Sequence, residues 1–386
     1  MGGEPYQVAC APCAEYDPAV CRAALEEVIG ALDGFSWLKP GMRVGIKANL
    51  VSFLKPEAAA TTHPELLIAL THLLTERGAE VIVGDSPGGL YTEAYVGHVY
   101  RMTGMHRVEA AGARLNHNYG QKTAQFSDAV QAKEFQYTAW LDDCDAVINF
   151  CKLKSHGMMA MSAGAKNLFG IIPGTRKPEY HFQYSEPKAF ADMLVDLNEF
   201  CKTKLTICDA VIGMEGNGPT SGTPRAIGCV IASPSAHHLD LLCAHLIGLK
   251  PGDVPTLQAA HLRGLVPAAV SELNIYGDYD RFRMEDFETV AVPSSLLFRN
   301  TFDGGMGKLF GNFVAACMCA RPALKGNGCT GCGQCMRICP AKAIHMEKKR
   351  PVIDRKACIR CFCCQEFCPQ GALQVHRPMI ARILNR

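Results

Sequence analysis

The sequence has no nucleotide-binding fingerprint, no long apolar run and no secretory leader. None of its apolar stretches reaches about 18 uninterrupted residues, so a membrane-spanning helix is not expected. The start, Met1-Gly-Gly-Glu-Pro-Tyr6, lacks the basic residues and apolar run of a signal peptide, which argues against a secreted, disulfide-stapled protein. No Gly-x-x-x-x-Gly-Lys-Ser/Thr occurs. Gly213-Met-Glu-Gly-Asn-Gly218 follows a strand pattern but runs into Pro219, so it reads as a site-lining loop rather than a dinucleotide turn.

Net charge is also nearly absent, +2 over 386 residues, but its distribution is uneven. Met318 to Arg386 holds 13 Lys and Arg against 3 Asp and Glu, leaving 26 against 34 in the rest. A basic C-terminal unit beside an acidic body suits docking on that body. It also suits an acidic electron donor such as a small ferredoxin or flavodoxin. Nucleic acid is a poor fit, because the basic residues are scattered among cysteines without a reading helix. Leu309 to Leu324 and Pro378 to Arg386 have the apolar and basic character of a membrane-surface segment. Packing on the body or a subunit partner is the preferred reading, so a membrane surface is not expected, and homo-oligomerisation is left open.

Cysteine is abundant: there are 20. Eight fall in two matching runs, Cys329-x-x-Cys332-x-x-Cys335-x-x-x-Cys339-Pro340 and Cys358-x-x-Cys361-x-x-Cys364-x-x-x-Cys368-Pro369, with a fixed offset of 29 residues. This is the bacterial ferredoxin spacing, in which three thiolates of a run hold one cubane and the fourth holds the other. Cluster I is assigned Cys329, Cys332, Cys335 and Cys368. Cluster II is assigned Cys339, Cys358, Cys361 and Cys364. Zinc would call for pairs separated by a longer spacer. Cys363 falls outside the ligand spacing and reads as a small buried neighbour. Cys10, Cys13, Cys21, Cys317 and Cys319 read as structural thiols. Two 4Fe–4S clusters on free thiolates call for a reducing compartment, the cytoplasm of an organism with an anaerobic life or phase.

Upstream, strand and helix patterns alternate. Arg43–Lys47, Glu80–Gly84, Asp145–Asn149, Leu205–Cys208 and Cys229–Ala232 read as strands. Pro64–Arg77, a stretch through Phe190–Phe200 and His238–Leu249 read as helices. That alternation predicts an α/β layered fold with a mostly parallel sheet. The chain then divides into an α/β body (1–293), an apolar linker docked on it (294–327), a ferredoxin-type α+β module (328–376) and a basic tail (377–386).

Polar residues cluster just after the body's strands, where parallel sheets bind ligands. On that ground His156, Lys154, Asp85 and Asp209 are the candidate catalytic residues. Lys47, Asn49, Lys152, Lys166, Asn167, His181 and Glu215 are the candidate binding residues. Lysines there would clamp an anionic small molecule, and imidazoles would move protons near neutrality. A divalent ion held by His156, His181 and Asp85 is the weaker alternative for the same cluster, since no regular histidine spacing supports it.

Several words resemble the domain-of-unknown-function-362 family in its form fused to a ferredoxin module, described as iron–sulfur centre proteins. They are Ile46-Lys-Ala-Asn-Leu50, Thr62-His-Pro-Glu65, Gly84-Asp-Ser-Pro87, Lys152-Leu-Lys-Ser-His156, Gly164-Ala-Lys-Asn-Leu-Phe-Gly170, Lys177 with His181, Asp209 with Gly213–Pro219, and Asp240. The family pattern more often has threonine where this chain has Ser155, which keeps the hydroxyl. The resemblance implies an α/β body and two clusters, and no reaction. The sequence therefore reads as an iron–sulfur oxidoreductase passing electrons to an anionic small molecule or cofactor in the body. Its rivals are a non-enzymatic electron carrier, a metalloprotein maturation factor, and a transferase or isomerase with structural clusters.

Overall fold

The computed structural model describes residues 4–289 and 320–376. The body strands are β1 (Val8–Pro12), β2 (Arg43–Lys47), β3 (Glu80–Gly84), β4 (Arg114–Leu115), β5 (Gln121–Gln125), β6 (Glu134–Thr138), β7 (Ala146–His156), β8 (Ala160–Ser162), β9 (Leu205–Glu215), β10 (Thr223–Ser233) and β11 (Ile275–Tyr276). One large sheet runs β11-β1-β10-β9-β7-β2-β3-β4, with β8 folded back on β7. From β9 to β4 every pairing is parallel, while β10 joins β9 and β1 antiparallel. β5 and β6 form a separate hairpin.

Alternation along the strands makes the sheet the middle of three layers. On β9, Leu205, Ile207 and Val211 enter one core while Cys208 and Ala210 enter the other. On β10, Val230 and Ala232 face the first core, and Cys229 and Ile231 the second. Helices Pro18–Ala31 and Pro64–Thr75 cover one face; Pro187–Cys201, Ala236–Leu246 and Pro255–Leu262 cover the other. Helix Pro64–Thr75 starts where Pro64 supplies its first turn and His63 accepts from Glu65 N. It buries Leu66, Leu67, Leu70, Leu73 and Leu74. Cys10, Cys13 and Cys21 are buried in these cores, and the 18 cysteines among the described residues are all free thiols.

Two strands run further than their sequence suggests. β7 continues seven residues beyond Asn149 because β8 turns back and pairs with its end, Lys154 with Ser162 and His156 with Ala160. Lys152, Lys154 and His156 therefore sit on a strand rather than in the loop after one. β9 runs on through Glu215, held by β10, so the glycine-rich run begins inside a strand.

The order β9-β7-β2-β3-β4 reverses direction of travel between β2 and β7, which makes that crevice the topological switch point where α/β sheets bind ligands.

The module contains β12 (Arg321–Leu324), β13 (Ile344–Glu347), β14 (Arg350–Ile353) and β15 (Leu373–His376), paired as β12–β15 and β13–β14. β12 lies inside the stretch read as linker. Pro322 is accommodated in this two-stranded edge ladder opposite Val375. The linker up to residue 319, with Cys317 and Cys319, and the tail after His376 lie outside the described residues. Among the described residues no helix is long and apolar enough to cross a membrane.

Candidate functional site

The module holds two small cavities of about 20 Å³ each. Cys329, Cys332, Cys335 and Cys368 line one; Cys339, Cys358, Cys361 and Cys364 line the other. Each thiol set draws its fourth member from the other run, the arrangement a pair of cubanes needs. The donors suit such a group in a second respect. Ala343 N donates to Cys339 Sγ and Ala372 N to Cys368 Sγ, both at 3.3 Å, which supplies the backbone N–H···S bonds that tune cluster potentials. The two halves also repeat their backbone. Gly331, Gly333 and Lys342 are left-handed in the first copy, and Arg360, Phe362 and Gly371 in the second.

The body offers a different cavity, of about 50 Å³, at the switch point between β2 and β7. β2 ends in Lys47 and leads to Asn49; β3 leads to Asp85; β7 contributes Lys154 and His156. The short helix Gly164–Asn167 brings Lys166 and Asn167, and is pinned by Asp240, which accepts from Gly164 N at 2.6 Å and Ala165 N at 3.1 Å. Helix Lys177–Gln183 adds Lys177 and His181.

These groups form a connected network. Lys154 Nζ donates to Asn49 Oδ1 and Ala60 O, both at 2.7 Å. Asn49 Nδ2 donates to Asn167 Oδ1 at 2.9 Å, and Lys47 Nζ donates to the same oxygen at 2.9 Å. Lys47 also pairs with Asp85 at 3.0 Å, with both side chains at most 3% exposed. Gly170 has to be glycine, since a Cβ there would run into Asp85 Oδ1 and Lys47 Nζ. Lys177 donates to Ser86 O. Burial lowers the Lys154 ammonium to about 7 and Lys177 to about 8, with Lys166 pushing Lys154 down further. Burial also takes His181 down to about 3, so it is neutral in the cavity.

The tautomer of His156 is fixed by the backbone. Its Nδ1 accepts from Met158 N at 3.1 Å and Met159 N at 3.2 Å, so a single ring proton sits on Nε2. Nε2 lies 3.1 Å from Glu366 Oε1, within ion-pair reach but off the line of a hydrogen bond. Burial pushes the Glu366 carboxyl up, but His156 and Lys166 outweigh it and hold the group below its usual range.

Glu366 belongs to the ferredoxin module, between Cys364 and Cys368. It and Phe367 form one wall of the body's cavity. Neither residue was singled out from the sequence. The available signal was a comparison of the two runs: Arg337 and Ile338 in the first copy become Glu366 and Phe367 in the second. Three more contacts seat this wall. Gln365 Nε2 donates to Asn217 O at 2.9 Å. Phe367 packs so closely on Gly88 that a Cβ there would lie 3.0 Å from its ring. Phe362 and Val375 join the body's own hydrophobic core, and a Cβ on Gly157 would come within 3.2 Å of both. Gly157→Leu is therefore expected to lift the module off the body, measured as faster hydrogen–deuterium exchange in β8 and in the Phe362–Phe367 turn.

The structure does not bring every sequence candidate to this cavity. Lys152 and Asp209 form a buried ion pair of 2.9 Å that does not line it. The pairing of β7 with β9 breaks register between Lys152 and Lys154, which separates the two lysines' surroundings. Glu215 is also elsewhere, accepting from Glu288 N at 3.1 Å. The glycine-rich loop packs on Ser155, whose Oγ donates to Gly216 O at 3.0 Å, and only Pro219 of that stretch reaches the cavity. The divalent-ion alternative has no support: among the described residues of the body no three His, Cys, Asp or Glu are disposed to hold a metal ion. Asp85 is engaged by Lys47 and Leu50 N, and His156 Nδ1 by the backbone. Lys177 lines the cavity beside His181, although the sequence reading gave it no role.

Residues 44–245 match the model of a family described as a domain of unknown function, DUF362, and residues 321–369 match that of a 4Fe-4S dicluster domain. A thylakoid-associated protein of Synechocystis sp. is 33% identical over 262 residues, covering 66% of this chain and 78% of that protein. Among solved structures, the lactate racemase apoprotein from Thermoanaerobacterium thermosaccharolyticum aligns with a TM-score of 0.41 and 11% identity, over 65% of this chain and 59% of its own. A Thermotoga maritima protein aligns at 0.36 with 15% identity, over 56% of this chain and 55% of its own. This chain thus spans less than two thirds of either solved chain.

Proposed function

Because the chain belongs to the DUF362 family and carries a 4Fe-4S dicluster domain, we propose that it is an oxidoreductase that reduces a small anionic molecule at the seam between body and module. The observation that carries this reading is the shared wall: Glu366 and Phe367, inside the second cysteine run, line the same cavity as Lys47, Lys154 and Lys166. Cubanes held by the eight cysteines would supply electrons one at a time.

The chain's own residues divide the remaining work. Lys47, Lys154 and Lys166 attract the anion, and Asn49 and Asn167 fix the lysines' positions through amide hydrogen bonds. His156 holds one proton on Nε2, facing Glu366, where a proton could pass to a reduced product. Asp85 keeps Lys47 in place. The Gly157 and Gly88 contacts exclude bulk water along the seam.

An acidic ferredoxin or flavodoxin would dock on the module's basic side. Lys348 and Lys349 are exposed and both left-handed, in a two-residue hairpin turn where Asn-Gly would be preferred. That turn packs against Gly331 of the cluster I loop, and Cys332 beside it is exposed. Entry near cluster I and exit near cluster II would give the module a direction.

The test is to reduce the anaerobically purified, cluster-loaded protein with dithionite and add fractions of a small-metabolite extract. The expected result is recovery of the oxidised cluster absorbance with one fraction, with a small anion consumed by mass spectrometry. In Gly157→Leu the clusters would still accept electrons but would not reoxidise with that fraction. Clusters that stay reduced with every fraction, and reoxidise only with another redox protein, would sink the reading in favour of a carrier.

A further inference from the structure

The seam cavity has an unbalanced charge inventory. Four lysines line it, Lys47, Lys154, Lys166 and Lys177, against two carboxylates, Asp85 and Glu366. Asp85 is committed to Lys47 at 3.0 Å, and Glu366, 3.1 Å from the His156 ring, makes no ion pair with any of the lysines among the described residues. Lys154 and Lys177 have only neutral oxygens as acceptors. Lys166 makes neither a hydrogen bond nor an ion pair among the described residues. Its Nζ rests 4.8 Å over the Phe169 ring, and Lys177 Nζ lies 5.8 Å from the same centroid. An aromatic face holds two ammoniums without neutralising either. His181 Nδ1 is a further buried polar atom with no partner among the described residues. Buried polar atoms are normally hydrogen-bonded, and with its proton on Nδ1 this orphan beside surplus positive charge would be completed by an acceptor.

Size limits the answer. Ordinary ligand pockets enclose roughly 300–1,000 Å³, whereas this cavity encloses about 50 Å³. That excludes a nucleotide or a flavin and leaves room for a handful of heavy atoms.

Resting on the reading above, we propose that the anion bound at the seam is a compact dianion, an oxoanion of phosphate or sulfate size, held by Lys154, Lys166 and Lys177 with His181. Its two charges match the surplus of two lysines. The depressed ammoniums of Lys154 and Lys177 regain full charge as the anion arrives, so an empty site does not carry three full unpaired positive charges.

Calorimetric titration of the cluster-loaded full chain with inorganic phosphate, sulfate and formate is the test. Phosphate or sulfate is expected to bind at one site per chain, and the monoanion formate at least about tenfold more weakly. Lys166→Met and Lys177→Met should each weaken the dianion by about tenfold or more, the cost of a lost charge-assisted contact. Exposed Lys39→Met serves as control. Iron content and circular dichroism verify each variant's fold, and Lys166→Arg should restore most of the affinity should the methionine variant misfold. The inference is overturned if neither dianion binds, if formate binds equally well, or if Lys166→Met and Lys177→Met bind like wild type. Cluster reoxidation separates the two readings. Reoxidation by a metabolite that phosphate does not compete with would end the dianion inference alone. Competent phosphate binding with clusters that never reoxidise would end the redox reading alone.

Discussion

Asp209→Ala is expected to destabilise the body by about 3–5 kcal/mol, the usual cost of stripping one partner from a buried ion pair. The side chains of Lys152 and Asp209 are 1% and 0% exposed, 2.9 Å apart. Asp209 Oδ1 also accepts from Tyr16 Oη at 2.9 Å, and Oδ2 from His63 N at 3.0 Å. Lys152 Nζ donates to Tyr16 Oη at 2.7 Å. One carboxylate thus ties β7, β9, the segment after β1 and the start of helix Pro64–Thr75. Its removal leaves an ammonium, a phenol and a backbone N–H without their acceptor in a dry interior. The paired change Lys152→Met with Asp209→Leu should recover most of the loss, because it removes both charges together. Thermal midpoints of the cluster-loaded protein give the comparison, and dianion binding by the surviving folded fraction should be intact. A well-folded Asp209→Ala that binds no anion would instead return Asp209 to the catalytic role its strand-end position suggests.

That contrast shows where the sequence was readable. The grouping of the eight cysteines around the two module cavities is the one their covalent spacing predicts, and no tertiary rearrangement alters that spacing. Lys154, His156, Asp85, Lys47 and Asn49 were legible because strand ends in parallel sheets converge on one edge. Lys152 looked identical to Lys154, two residues away on the same strand face. They are separated by a register break in the neighbouring strand, and nothing local in Lys152-Leu-Lys154 encodes that break. Glu366 and Phe367 were hidden for a related reason. They sit inside a cysteine motif whose chemistry already explained the segment, and their place in the cavity depends on docking across the seam. Phe362 was the clue: it is left-handed where the first copy has Gly333, a conformation disfavoured for a bulky side chain. That cost is offset by the burial of its ring in the body core.

The crossover of cluster ligands makes an expectation that in-line pairing cannot mimic. Cys339→Ala should lower iron from about eight to about four atoms per chain, by removing cluster II, although Cys339 belongs to the first run. Cys368→Ala should remove cluster I and give the same count. Counts alone do not identify the cluster lost, so the double variants decide. Adding Cys358→Ala to Cys339→Ala strikes the same cavity and should leave about four irons. Adding Cys329→Ala to Cys339→Ala strikes both cavities and should leave almost none. Ligands drawn from one run per cluster would reverse these two results. Function should follow the same division. Cluster II has Cys361 just before and Cys364 within the helix Cys363–Glu366 that reaches the seam, so Cys339→Ala should abolish reoxidation at the cavity even with cluster I intact. Cys368→Ala should instead slow reduction by an acidic protein donor while dithionite, which needs no docking face, still drives turnover.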